Sequence, residues 1–228
     1  MNSHASPDRT ITIVLIDDHP SSREPLAQLL NRQPGLQVIG EAGSAAEATA
    51  LIDGGLCPDV AIVDLDLGDG SGIDVIRSLR SSCPRSHILV LTGLKDDRAR
   101  GEALYEGAAG ALLKSATTDE LIDAIWAVST GEGSPMRPDE AVRLMRSWID
   151  ELKAEWRFEQ AVSTLTPRES EVLLALMDGL TDEEIAARFA MSVATTRSHV
   201  RAILGKLGVE SRLKAVVLAY RAGHVPAR

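Results

Sequence analysis

The stretch that decides the fold reads Pro58-Asp-Val-Ala-Ile-Val-Asp64-Leu-Asp-Leu-Gly-Asp-Gly-Ser-Gly72. Four apolar residues, Val60 to Val63, run directly into Asp64. A short apolar run without alternation is typical of a strand that is buried on both faces, as in a parallel sheet. Ligands of open α/β sheets bind outside the carboxyl ends of the strands. Asp64 therefore stands where we expect chemistry.

Polar side chains also follow three other predicted strands. They are the Asp17–Asp18 pair, Thr92 and Lys114. If all the strands are parallel, these groups meet Asp64 at one edge of the sheet. Clustered carboxylates repel one another unless a cation or protons intervene, and Mg²⁺ favours a shell of such oxygens. We therefore predict a phosphoryl site with Asp64 as the nucleophile, where Thr92 and Lys114 hold the phosphoryl oxygens.

Each of these residues also has an ordinary structural explanation. The Asp17–Asp18 pair precedes a helix that starts near Pro20, where carboxylates complement the helix dipole. Lys114 could be a solvated charge. Taken singly, such explanations are preferable for every residue except Asp64. Four strand ends that together carry the parts of one phosphoryl site favour the functional interpretation.

Strand and helix patterns alternate five times between residues 10 and 130. Strands are predicted at 11–16, 36–41, 59–64, 87–92 and 109–113, and helices near 20–32, 44–53, 72–81, 96–106 and 118–130. Such alternation is typical of an α/β fold with a doubly wound, five-stranded parallel sheet.

Composition limits the classes of protein to which the chain can belong. A chain of 228 residues suggests two domains, and its apolar runs are too short to cross a membrane. Residues 1–9 lack the apolar core of an export signal. Cys57 and Cys83 form no metal-binding pattern and are assigned no role. Two thiols fit a reduced compartment, so we predict a cytoplasmic protein.

The net charge of −9 conceals an asymmetry along the chain. Residues 1–165 hold 15 basic and 26 acidic residues, a net of −11, whereas residues 166–228 hold 9 and 7, a net of +2. Nucleic acid attracts basic segments and repels acidic ones. DNA binding is therefore compatible with the C-terminal segment, although the charge of the whole chain argues against it.

Residues 132–163 are predicted to form a helical linker, because the Gly-rich stretch 131–135 breaks the preceding helix. Five apolar residues then follow at steps of 3, 4, 3 and 4. We name them the linker seam: Val142, Met145, Ile149, Leu152 and Trp156. The seam is shorter than the roughly three or four heptads of a convincing coiled coil. Dimerisation and packing on the chain's own domains are equally open explanations.

Residues 164–226 show the pattern of short helices separated by caps and tight turns. Thr166 and Thr181 are the predicted N-caps, and Glu184 completes a capping box with Thr181. A helix near 182–189 and a longer one at 193–207 are joined by a tight turn, which is the pattern of a helix-turn-helix.

The longer of these two helices has one predicted buried stripe, at helical spacing. The stripe consists of Thr196, Val200, Ile203 and Leu207. Arg197, Ser198 and Arg201 then project outward, where arginine can reach guanine edges or phosphates. Because helix pairs are common, a plain helical bundle that carries two surface arginines also fits this pattern.

Residues 10–131 resemble the receiver domain of bacterial response regulators. The resemblance rests on the Asp17–Asp18 pair, Asp64 after an apolar strand, Gly72, Thr92 and Lys114. It implies a flavodoxin-like fold in which Asp64 is the phosphoacceptor and a sensor histidine kinase is the donor. It also implies Mg²⁺ as the cofactor. The implied ligands are the side chains of Asp18 and Asp64, Asp17 largely through water, and the backbone carbonyl of Asp66.

Residues 164–226 resemble the LuxR-type DNA-binding domain. The matching segments include Leu165-Thr-Pro-Arg-Glu169, Glu184-Ile-Ala186, Thr195-x-Arg197-x-His199-Val200 and Ile203-Leu-x-Lys-Leu-Gly-Val209. Together the two resemblances imply a transcriptional response regulator of the NarL/FixJ type. The implied DNA-binding residues are Arg197, Ser198, Arg201 and Lys206. The implied partners are double-stranded DNA, a sensor histidine kinase and a second copy of the chain on DNA, with no membrane involved.

One position departs from the receiver pattern. Ala111 stands where the family usually has Tyr or Phe, a ring that helps to relay phosphorylation. One alternative is therefore an orphan regulator that works without phosphate. Another is a phosphatase of the haloacid-dehalogenase type, because Asp64-Leu-Asp66 resembles its Asp-x-Asp motif. That motif normally lies near the start of the chain and leaves residues 164–226 unexplained, so we predict a regulator that is not an enzyme.

Overall fold

The computed structural model describes residues 10–93, 95–130 and 135–223. Predictions about residues 1–9, 131–134 and 224–226 lie outside these ranges. The chain divides into two compact units, Met1–Trp148 and Ile149–Arg228, and each is described by itself. Among the described residues, no helix combines the length and the apolar character that crossing a membrane requires.

The first unit contains one five-stranded sheet. Its strands are β1 (Ile11–Ile16), β2 (Leu36–Ala42), β3 (Val60–Val63), β4 (His87–Thr92) and β5 (Gly110–Leu113). They lie in the order β2-β1-β3-β4-β5, and all neighbours are parallel. Every residue of β3 is buried, as its unbroken apolar run predicts. The predicted doubly wound parallel sheet is confirmed.

Five helices cover the two faces of the sheet. They are α1 (Pro20–Asn31), α2 (Ala45–Asp53), α3 (Gly72–Ser82), α4 (Asp97–Tyr105) and α5 (Thr118–Thr130). Because successive strand residues face opposite sides, Ala61 and Val63 join one apolar cluster, and Val60 and Ile62 join the other. A slip of one residue would exchange these two sets, so burial on both faces fixes the position of Asp64 at the strand end.

Cys57 and Cys83, for which no role is predicted from the sequence, form a disulfide bond. Cys57 is exposed in the loop before β3, and Cys83 is buried at the C-cap of α3. Their Cα atoms lie 5.4 Å apart, although 26 residues separate them along the chain. The packing of α3 beside this loop brings them together, which their spacing could not predict. The interpretation of two thiols without a common role is therefore wrong.

The segment that precedes the second unit packs against α4 and β5. A Cβ at Gly101 of α4 would lie 2.2 Å from the carbonyl oxygen of Leu144, so only glycine permits this approach. Met136 is buried, and its Sδ accepts a hydrogen bond of 3.2 Å from the backbone N–H of Ala111. A methionine from outside the sheet therefore contacts the position at which the family usually has an aromatic ring.

Helix α6 (Pro138–Ser163) begins in the first unit and ends in the second. Its buried apolar residues are Leu144, Trp148 and Phe158. Four residues of the linker seam are exposed to solvent. Their exposed fractions are 56% for Val142, 37% for Ile149, 43% for Leu152 and 62% for Trp156. These exposed side chains form an apolar stripe on α6, and the role of the seam stays a prediction. The predicted bounds of the linker, 132–163, stay a prediction.

The second unit continues with four shorter helices. They are α7 (Pro167–Met177), α8 (Asp182–Arg188), α9 (Val193–Leu207) and α10 (Arg212–Arg221). Thr166 and Thr181 are the N-caps of α7 and α8, each in a capping box with the glutamate three residues on. Ala190, with a φ of 52°, turns the chain between α8 and α9. The predicted all-α helix-turn-helix domain is confirmed.

Candidate functional site

The carboxyl ends of the parallel strands bring the predicted site residues together. The backbone N–H of Asp64 donates to the carbonyl oxygen of Ile16 at 2.8 Å, and that of Lys114 donates to Thr92 at 2.8 Å. Residues that follow neighbouring strands are thereby held side by side. We name Asp17, Asp18, Asp64 and Lys114 the acidic pocket.

The ammonium of Lys114 stands between two carboxylates. Its Nζ lies 2.7 Å from Asp17 Oδ2 and 2.6 Å from Asp64 Oδ2. The two aspartate side chains are only 11% and 4% exposed. A carboxylate removed from water needs such a partner, because desolvation penalises an unpaired charge. The structure thus brings three of the predicted site residues into direct contact.

Asp17 accepts hydrogen bonds from three groups. The backbone N–H of His19 donates to Oδ1 at 2.8 Å, and the hydroxyl of Ser22 donates to Oδ2 at 2.8 Å. Burial alone would raise the pKa of Asp17, but the bonds from Lys114, His19 and Ser22 outweigh it and hold the pKa below its ordinary value. Burial would likewise lower the pKa of Lys114, and the bonds to Asp17 and Asp64 raise it instead. Both effects favour the charged forms.

His19 also belongs to the site, although it is absent from the predicted site residues. Its Nδ1 lies 2.5 Å from Asp18 Oδ1 and 3.6 Å from Asp17 Oδ1. Ligand atoms of His19, Asp17, Asp18 and Asp64 all lie within 4.8 Å of one another. A sequence signal exists, because His19 directly follows the acidic pair at the end of β1 and therefore shares its edge of the sheet.

The loop after β3 contributes to the wall of a cavity at the acidic pocket. A Cβ at Gly72 would lie 2.0 Å from the backbone carbonyl oxygen of Asp64, so glycine allows α3 to start against the strand end. Asp66 is exposed in this loop, and its backbone N–H lies 3.4 Å from Asp64 Oδ1. Asp64, Asp66, Thr92 and Lys114 line a cavity of about 290 Å³. The cavity gives access from solvent to the buried carboxylate.

The chemistry of these groups fits two kinds of ligand. Carboxylate oxygens gathered at one point are the donors that a hard divalent cation such as Mg²⁺ takes. An ammonium and a hydroxyl beside a carboxylate can hold the oxygens of a phosphoryl group while the carboxylate attacks phosphorus.

Helix α9 carries the predicted DNA-binding residues on its exposed face. Its buried residues are Thr196, Val200, Ile203 and Leu207, which confirms the predicted stripe. Arg197, Ser198 and Arg201 are exposed, as predicted. The second unit therefore presents two arginines and a hydroxyl to solvent from one helix.

Two buried carboxylates pair with basic residues of the second unit. Glu169 Oε2 lies 2.6 Å from Lys206 Nζ, and Lys206 with the Thr166 cap lowers the pKa of Glu169 to about 2. Asp182 pairs with Arg212 and with Arg197, and Arg212, more than Arg197, holds the pKa of Asp182 below its ordinary value. Lys206 is thus tied to Glu169 within the domain, and its predicted contact with DNA stays a prediction.

Comparison with known proteins gives the same two parts. Residues 13–126 match the response regulator receiver domain, and residues 163–219 match the bacterial regulatory proteins of the luxR family. The chain is 37% identical over 209 residues to the DNA-binding transcriptional activator DevR/DosR of Mycobacterium tuberculosis (strain ATCC 25618 / H37Rv). That similarity covers 92% of this chain and 94% of the relative.

Comparison with solved structures also finds response regulators. The response regulator ChrA of a heme-sensing two-component system is 30% identical with a TM-score of 0.53, over 95% of this chain and 99% of that one. The response regulator RcsB in complex with DNA is 26% identical with a TM-score of 0.53, over 93% and 98%. These matches favour neither the phosphatase nor the orphan alternative. The chain belongs to the two-component response regulators of the NarL type, as a transcription regulator with an N-terminal receiver domain and a C-terminal LuxR-type DNA-binding domain.

Proposed function

We propose that phosphorylation of Asp64 switches this regulator and that α9 reads the DNA. The observation that carries the proposal is the ion pair of 2.6 Å between Lys114 Nζ and Asp64 Oδ2, beside a cavity that Thr92 also lines. A nucleophile, an ammonium and a hydroxyl at one point are the parts that phosphoryl transfer needs.

The phosphoryl donor is a phosphohistidine of a sensor histidine kinase. A carboxylate oxygen of Asp64 forms a bond to phosphorus, the P–N bond breaks, and the leaving ring nitrogen takes a proton. Lys114 then exchanges a carboxylate oxygen for a phosphoryl oxygen, and Thr92 donates its hydroxyl to another. The partner of Lys114 therefore changes when Asp64 is phosphorylated. This local change in contacts is what the receiver domain would pass on to the rest of the chain.

The acidic pocket fits Mg²⁺ as its cofactor. Asp18 and Asp64 would hold the ion through side chains, Asp17 largely through water, and Asp66 through its backbone carbonyl. The carboxylates of Asp17, Asp18 and Asp64 gather within 4.8 Å, and the single positive charge of Lys114 does not balance all three, which supports a second cation. When bound, the ion offsets negative charge on the phosphoryl oxygens.

DNA recognition is assigned to the exposed face of α9. Arg197, Ser198 and Arg201 would contact the major groove, and Lys206 would add positive charge toward the end of the helix. The net charge of +2 on residues 166–228 supports their approach to DNA. The likeness to RcsB, which was solved with DNA, supports the same assignment.

The active form is proposed to be a homodimer on double-stranded DNA. One helix-turn-helix covers few base pairs, so such domains usually bind as dimers to paired half-sites. The exposed linker seam offers one surface for this contact, with Leu152 and Trp156 at 43% and 62% exposure.

Binding-site selection on genomic DNA tests both halves of the proposal together. The full-length chain is used with and without acetyl phosphate and Mg²⁺, beside an Asp64→Asn variant. We expect one sequence to be enriched, more strongly after acetyl phosphate, with no such increase in Asp64→Asn. Absence of any enrichment would overturn the DNA-binding half, and equal enrichment under both conditions would overturn control by phosphate.

A further inference from the structure

The side chain of Arg197 is exposed and makes a hydrogen bond to a carboxylate of its own domain. The side chain is 62% exposed, and its Nε donates to Asp182 Oδ2 at 3.1 Å. A guanidinium offers five N–H donors in a planar fork, and bonding at Nε leaves the two terminal nitrogens. Nη2 lies 3.8 Å from Oε1 of the exposed Glu183, which is beyond hydrogen-bond distance, so the edge that carries the two terminal nitrogens can still bind another partner. That edge has the spacing that matches O6 and N7 of guanine.

Asp182 is itself held in one place. It is the first residue of α8, directly after the Thr181 cap, and its side chain is only 9% exposed. Its second oxygen, Oδ1, lies 2.6 Å from Nη2 of Arg212, the first residue of α10. One carboxylate thus connects α8, α9 and α10. Because Arg212 holds it in place, its contact with Arg197 favours one rotamer of Arg197.

We propose that Asp182 is a positioning residue for DNA recognition, which holds the guanidinium of Arg197 in the orientation that reads a guanine. The inference rests on the proposed function, in which Arg197 contacts a base. Free arginine loses about 2 kcal/mol of rotamer entropy when it is ordered. Asp182 orders Arg197 before DNA arrives, so less of that cost falls on binding to the correct sequence.

The charge of Asp182 has a second consequence. A carboxylate close to the DNA-facing arginines opposes the approach of phosphates, which are the main source of sequence-independent affinity. Asp182 therefore strengthens the contact of Arg197 with guanine and weakens contacts with phosphates. Both effects raise the ratio of specific to non-specific affinity. A residue that served only to stabilise the fold would change both affinities in the same direction.

The test uses the phosphorylated full-length chain on the selected site, on the site with the guanine replaced, and on random DNA. We expect Asp182→Asn to lower discrimination against the replaced guanine roughly tenfold. Affinity for random DNA should rise in the same variant. Asp182→Glu, which keeps the charge but moves the carboxylate, should lose discrimination without that rise. Asp178→Asn is the matched control, because Asp178 is a carboxylate of this domain that pairs with Arg188 at 3.0 Å.

An Arg197→Ala background decides whether Asp182 acts through Arg197. In that background Asp182→Asn should leave discrimination unchanged, and thermal unfolding shows whether each variant is folded. If Asp182→Asn lowers both affinities equally, or retains full discrimination while Arg197→Ala loses it, the positioning role is overturned. If Arg197→Ala itself keeps full discrimination, the proposed base contact of Arg197 fails, and the inference fails with it.

Discussion

Lys114 and Asp64 are joined by an ion pair of 2.6 Å between Nζ and Oδ2, and the same ammonium lies 2.7 Å from Asp17 Oδ2. One lysine therefore serves two buried carboxylates. A phosphoryl group on Asp64 would compete for this ammonium, because its oxygens carry more negative charge than the carboxylate does. The position of Lys114 thus links the chemistry at Asp64 to the rest of the pocket.

Removal of Lys114 is predicted to separate phosphorylation from output. In Lys114→Ala, Asp64 still becomes phosphorylated, but DNA affinity no longer increases. The pKa of Asp17 should also rise, because the variant removes the side-chain bond that lowers it most. Carboxyl NMR titration measures the pKa, and DNA titration with and without acetyl phosphate measures coupling. Arg32→Ala, at an exposed cation on the C-cap of α1, is the control and should behave as the parent. Retained coupling in Lys114→Ala would contradict the role given to this lysine.

Arg197 and Arg201 are predicted to contribute to DNA affinity in distinguishable ways. Alanine at an arginine that contacts a base should cost about 1–3 kcal/mol and relax specificity at one position, whereas loss of a phosphate contact should lower the salt slope by about one. Fluorescence anisotropy at several salt concentrations measures both quantities. Lys214→Ala, on α10, serves as the control for loss of one positive charge. If both arginine variants bind as the parent does at every salt concentration, α9 is not the recognition helix.

Acid is predicted to weaken the second unit through Glu169. Its pKa is about 2 in the folded chain and 4.5 in the ordinary state, so its ionised form stabilises the fold fully above pH 4.5. That stabilisation is lost as the pH falls from 4.5 toward about 2. We expect a loss on the order of 2 kcal/mol, less than the full shift implies, because Lys206 is 38% exposed and partly screened.

Hydrogen exchange of amides in α7 and α9 of the full chain measures this effect. Glu169→Gln should show weaker protection at pH 6 and a smaller further loss on acidification. Glu171→Gln, whose exposed carboxylate pairs with Arg168 at 2.8 Å, is the control. An unchanged acid response in Glu169→Gln would show that another group is responsible.

The linker seam is predicted to contribute to the phosphorylated dimer. Ile149 and Leu152 are 37% and 43% exposed on α6. The double variant Ile149→Asp, Leu152→Asp therefore removes apolar surface that a second copy could contact, without placing a charge in the core of this chain. Light scattering should show a doubled mass for the phosphorylated parent and a much smaller dimer fraction for the variant. Ala154→Asp, at another exposed position of α6, controls for added charge. If the seam variant dimerises and binds DNA like the parent, the dimer forms on another surface.

Local patterns predicted the elements well, for identifiable physical reasons. The apolar run before Asp64 predicts a strand buried on both faces, and β3 is buried at all four positions. Thr166 and Thr181 predict two helix starts, because a hydroxyl at an N-cap satisfies an unpaired backbone N–H. The strand ends then place Asp64 and Lys114 at one edge, since parallel strands align their carboxyl ends.

Contacts between distant segments could not be predicted in this way. The Cys57–Cys83 bond joins residues that are 26 positions apart, and the Lys206–Glu169 pair joins residues 37 apart. Met136 contacts Ala111 from a segment that follows α5. Each contact depends on how complete helices and loops pack, and the sequence carries no periodic signal for that packing. His19 could have been predicted, because it directly follows the Asp17–Asp18 pair in the sequence.

Intact-mass measurement after treatment with acetyl phosphate and Mg²⁺ tests the central claim, phosphorylation of Asp64, most directly. The parent chain should gain the mass of one phosphoryl group. Asp64→Asn should gain none, because an amide keeps the shape of the side chain but is not a nucleophile. Asp66→Asn, at the exposed neighbour assigned only a backbone contact, is the matched control and should gain the same adduct as the parent. A phosphoryl adduct that persists in Asp64→Asn would contradict the claim.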